Sequence, residues 1–84
     1  MKNNKTTNAE RVEVMALLGY EMTPCQPLSF KKQGDAEVEV SELLRSRIRF
    51  VGNAAHHIFD IIADQKRYML EFNSTDLSWH LTGA

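Results

Sequence analysis

The 84-residue chain is 43% hydrophobic and carries 10 basic against 11 acidic side chains, for a formal net charge of -1. That length allows one modest core, hiding about 60% of the surface exposed by the unfolded chain, and so even a charge balance argues against a protein whose main work is gripping a long polyanion. The single cysteine, Cys25, leaves no intramolecular disulfide, and no apolar run approaches membrane-spanning or signal-peptide length, so the expected setting is cytoplasmic and reducing.

Residues 1–8 hold Lys, Asn and Thr with no apolar side chain after Met1, a composition that buries too little to offset the entropy of ordering. They are expected to form a flexible tail ahead of a single β-rich domain over 9–84. From Arg11 to Tyr20 the even positions Val12, Val14, Ala16, Leu18 and Tyr20 are apolar, which predicts a first strand, with Met15 and Leu17 supplying a second apolar face. A helix over 9–18, with Asn8 as its N-cap and Gly19 as its stop, is the competing reading. The β-branched Val12 and Val14 favour the strand.

Pro24 and Pro27 deny ladder hydrogen bonds, so residues 23–27 read as a connector. A short strand over 28–32 would point Leu28 and Phe30 inward, and Gln33, Gly34 and Asp35 supply turn chemistry. The next segment has the strongest signal in the chain. Across residues 38–50, Val38, Val40, Leu44, Ser46, Ile48 and Phe50 alternate with polar positions that include Arg45, Arg47 and Arg49, the period of two that a strand requires. A helix over 41–49 is the local alternative, since Leu44, Ile48 and Val51 also fit a helical stripe.

Gly52 and Asn53 mark a turn, and the last third reads as a three-strand meander. With Asp64-Gln65 as a two-residue loop, Ala63 faces Lys66, Ile61 faces Tyr68, Phe59 faces Leu70 and His57 faces Phe72. A final strand after residues 73–76 then sets Trp79 and Leu81 beside Phe72 and Leu70. The whole is mainly β, about six antiparallel strands forming a small barrel or strongly curved sheet. The opposite face of the meander carries Ile58, Ile62 and Met69, an apolar group that calls for a cover or a partner.

The spacing Pro27-x-x-Phe30, Gly34, Val38-x-Val40, Phe59-x-Ile61, Tyr68-x-Leu70 and Trp79-x-Leu81 resembles a group of small uncharacterised bacterial β-rich domains, over roughly residues 10–82. The resemblance implies a fold and no activity. The chain departs from that group in having Asp64-Gln65 where a glycine turn is usual, and no tryptophan near the end of the long strand.

Arg45, Arg47 and Arg49 on one strand face, with Lys31 and Lys32 expected nearby, have a spacing that suits successive phosphates. Cross-strand pairing with Glu37, Glu39, Glu42 or Glu71 would reduce them to a solvated face. His56 and His57 point to opposite sides of a strand and cannot share a metal there, while a zinc site from Cys25, His56 and His80, or a Cys25–histidine dyad, would need convergence from distant segments. No cofactor is implied. The expected function is therefore a non-enzymatic module that binds another protein or itself through exposed strand edges or the face of Ile58, Ile62 and Met69. The alternative is a nucleic-acid-binding accessory domain using the arginines.

Overall fold

A computed structural model of the protein describes residues 9–20 and 23–83; the expected 1–8 tail lies outside the described residues. Six strands run in chain order: β1 (Glu10–Tyr20), β2 (Thr23–Lys31), β3 (Glu37–Val51), β4 (Ala54–Ala63), β5 (Lys66–Asn73) and β6 (Ser78–Gly83). Each pairs antiparallel with the next, and β6 returns to β1, closing a barrel. Both helical alternatives fall on strands, 9–18 on β1 and 41–49 on β3. At both places a β-branched or alternating segment has a neighbour strand to pair with, and the ladder decides against local helix preference.

The expected meander register holds throughout. Ala63 faces Lys66, Ile61 faces Tyr68, Phe59 faces Leu70 and His57 faces Phe72, and β6 sets Leu81 against Leu70 and Trp79 against Phe72. Continuing around the wall, Ile48, His57, Phe72, Trp79 and Val12 form one inward-facing row, and Ser46, Phe59, Leu70 and Leu81 form the next. The core is Val12, Phe30, Phe59, Ile61, Ala63, Leu70 and Leu81, with Tyr68 and Trp79 packed against it. Phe30 meets Tyr68 edge to face at 5.5 Å, and Trp79 lies 4.9 Å from Phe72 and 5.8 Å from Phe59 between ring centroids. These are favourable aromatic separations.

The turns explain the register. Asp64 and Gln65 both take positive φ, 53° and 62°, the backbone of a type I′ hairpin whose twist matches its strands. Gly52, with φ 62°, opens the β3–β4 hairpin at the position where glycine enters the left-handed region without a Cβ clash. Between β5 and β6 the chain closes through Leu77 N donating to Asn73 O at 2.8 Å, and Ser74 ties this turn to β4 by donating from both its amide and its hydroxyl to Ala55 O.

Three local expectations give way. Residues 23–27 are the first part of β2, not a connector. Prolines are admitted there because that part of β2 has β1 on one side and, among the described residues, no ladder partner on the other, the edge position in which a missing N–H is tolerated. Leu28 is the extra residue of a bulge, since Met15 pairs with Ser29 and Ala16 with Pro27; it faces solvent while Phe30 stays in the core. The alternation of β3 is interrupted twice. Ser41 and Leu44 are each unpaired opposite β4, so Leu43 turns in against Ile61 and Leu44 turns out, and the second bulge restores the phase at Arg45. A bulge inverts side-chain parity beyond it, and two bulges cancel.

Candidate protein-interaction edge

Closure of the barrel is uneven. Among the described residues, β2 pairs with β3 where Ser29–Lys31 face Glu37–Glu39, and β1 pairs with β6 where Glu10–Val12 face Trp79–Leu81. Beyond those short seams the β1–β2 and β3–β4 hairpins continue without pairing to each other among the described residues, in a molecule of 43 × 33 × 22 Å. Residues 41–51 of β3 consequently have β4 on one side and, among the described residues, no strand on the other. Their free N–H and C=O groups form a template for another strand.

The edge is chemically two-sided. Ile48 and Phe50 occupy inward-facing positions yet are 52% and 70% exposed, because β2 has departed from the seam that would cover them. Neighbouring Leu44 and Val51 are exposed as well. The outward positions are Arg45, Arg47 and Arg49. Asp60, on β4, accepts from Arg47 at 2.7 Å and lies 3.4 Å from Arg45, while Glu71, on β5, lies 3.6 Å from Arg49 and is hydrogen-bonded to His56 Nδ1. Arg47 also reaches Met69 Sδ at 3.7 Å. The arginines thus meet carboxylates across strands, Glu71 among the expected partners and Asp60 in addition. Arg45 and Arg49 remain 67% and 61% exposed, leaving donors directed at solvent.

This arrangement alters the expected apolar interface. Ile58 is flanked by Arg47 on β3 and Glu71 on β5, and it is only 3% exposed. Ile62 lies between Glu42 and Arg67, Met69 between Asp60 and Thr82, and both are half-buried. Long charged side chains lay their aliphatic stems over an apolar strand face while their heads stay in water, so these three residues do not form an open patch. Nor are Lys31 and Lys32 beside the arginines. Lys31 faces Glu13 and Glu37 at the opposite end of β3, and Arg45 is eight positions along the strand from Glu37, about 25 Å. The two lysines instead line a cleft of about 380 Å³ with Arg11, Glu13 and Gly34.

The histidines separate as expected for strand neighbours. His56 faces outward to Glu71, and His57 faces inward with its ring 6.1 Å from Phe72. Among the described residues no three His, Cys, Asp or Glu side chains converge as metal ligands; the Cys25 side chain lies outside the described side chains. No helix among the described residues is long and apolar enough to cross a membrane.

Sequence reasoning expected exposed strand edges without assigning one to β3, because strong alternation over 38–50 looks the same in a paired strand and in an edge strand. The available signal was one strand away: Pro24 and Pro27 weaken the part of β2 that would otherwise continue its pairing along β3. Compared with known protein families, with curated proteins and with solved structures, the chain finds no match.

Proposed function

We propose that the protein is a non-enzymatic interaction module that accepts an extended segment of a partner protein as an added strand on the edge of β3. The observation that supports this reading is the coincidence of a free edge over residues 41–51 with exposed Ile48, Phe50 and Val51. Main-chain hydrogen bonds supply affinity in strand addition, and alternate side chains supply specificity. The open part of β1 is a poorer template, because the protruding β1–β2 ribbon has only two strands, whereas β3 is backed by β4, β5 and β6. A two-stranded ribbon is marginal by itself.

The reading is tested by adding a neutral seven-residue peptide of alternating valine and glutamine, capped by threonine, and following amide hydrogen exchange. Slowed exchange in residues 41–51, with Ile48→Glu and Phe50→Glu together abolishing it, is the expected result. Unchanged exchange on β3 at millimolar peptide would refute strand addition.

A further inference from the structure

Which strand fits this edge follows from its charges, an inference that rests on the strand-addition reading above. Side chains directly opposite in an antiparallel pair come within about 5 Å, and like charges there oppose pairing. A second copy of β3 is a poor occupant. Centring a two-fold antiparallel pairing on Arg45 sets Arg45 against itself; on Ser46, Arg45 against Arg47; on Arg47, Arg47 against itself; on Ile48, Arg47 against Arg49; and on Arg49, Arg49 against itself. Each register centred from Arg45 to Arg49 brings at least two guanidinium groups together. Basic side chains on an edge are a known defence against self-pairing, and they exclude any basic strand on the same ground.

We infer that the β3 edge selects a partner segment in extended form whose alternate residues are acidic on the side of Arg45, Arg47 and Arg49 and apolar on the side of Ile48 and Phe50. Asp60 and Glu71 do not remove this preference. Asp60 is shared by two arginines, and Glu71 by Arg49 and His56, so three guanidinium groups face two carboxylates, and the outermost two, Arg45 and Arg49, are the more exposed. A partner carboxylate opposite each would give these exposed guanidinium groups a second acidic neighbour besides Asp60 and Glu71. On the inner side, the partner's apolar residues would continue the row of Ile48, His57, Phe72 and Trp79.

The test uses three peptides of one length, Thr-Glu-Val-Glu-Val-Glu-Thr and its Gln and Lys counterparts, titrated into the full chain at low salt with β3 amide shifts as readout. The glutamate peptide should bind about tenfold more tightly than the glutamine peptide, with the lysine peptide weaker still, and the difference should shrink at 0.5 M salt as the charges are screened. The Arg45→Glu, Arg49→Glu double variant should invert the order; should it fail to fold, Arg45→Gln with Arg49→Gln should abolish the discrimination. Equal binding of all three peptides overturns the charge selection and leaves strand addition standing. Binding of none overturns both. A glutamate preference with shifts confined to the Arg11, Lys31 and Lys32 cleft overturns the assignment to β3.

Discussion

Ile58 and Phe50 exchange the roles that strand parity gives them, and paired truncations measure that exchange. Ile58 stands on the outer face of β4 but is 3% exposed beneath Arg47 and Glu71, whereas Phe50 stands on the inner face of β3 and is 70% exposed. Ile58→Ala removes three buried carbons, worth about 2.4 kcal/mol in transfer alone at about 0.8 kcal/mol each. A residual cavity adds to this, although the arginine and glutamate stems above it are free to settle inward, so the expected cost is about 2.5–3.5 kcal/mol. Phe50→Ala loses less than a third of a phenylalanine's burial plus some strand preference, about 1 kcal/mol or less. Urea denaturation of both variants, at unchanged m value, gives the comparison directly. A Phe50→Ala cost above that of Ile58→Ala would mean that the β2–β3 seam is closed over Phe50 and that the outer face is open over Ile58.

Other outcomes follow from single contacts. Gln65 holds φ 62° without the freedom of glycine, so Gln65→Gly should raise stability by about 0.5–1 kcal/mol, read as an increase in thermal midpoint; a decrease would contradict the type I′ turn. Asp60→Asn should cost about 1 kcal/mol, and less in high salt, because it weakens contacts to Arg45 and Arg47 that are partly exposed; an unchanged denaturation midpoint in low salt would show that these pairs do not hold the face together. The Ser78 hydroxyl donates to Asp76 Oδ1 at 2.6 Å and holds that carboxyl below its ordinary 3.8, with help from the Ser78 amide. A group lowered in the folded state contributes stability above its unfolded value and loses it as pH falls through the folded value. An NMR titration should therefore place Asp76 below 3.8, with Ser78→Ala returning it upward; no movement in that variant would discount the hydroxyl.

Much of the wall was legible because side-chain period and turn chemistry agree there. Between Ile58 and Leu81, each apolar residue assigned inward by counting from Asp64-Gln65 meets the expected partner. Bulges were not legible. Nothing local distinguishes Leu44 from Leu43, and the inversion comes from the fit of β3 to β4, where the unpaired Ser41 donates from its hydroxyl to Ile62 O. The arginine face was legible as a face, and its use of Glu71 was among the expected pairings; Asp60 entered only because the second bulge places Arg45 directly opposite it. Exposure of Ile48 and Phe50 depends on what β2 does, which is a tertiary fact, while burial of Ile58 depends on long side chains of two neighbouring strands.

Amide hydrogen exchange across β3 in the unliganded protein, at low micromolar concentration, tests the open edge most directly. Amides of residues 43–51 directed to β4 should be protected and those directed away from it should exchange rapidly, giving alternation along one strand. Uniform protection from Ser41 to Val51 would contradict the account, because it would mean that the edge already has a strand beside it.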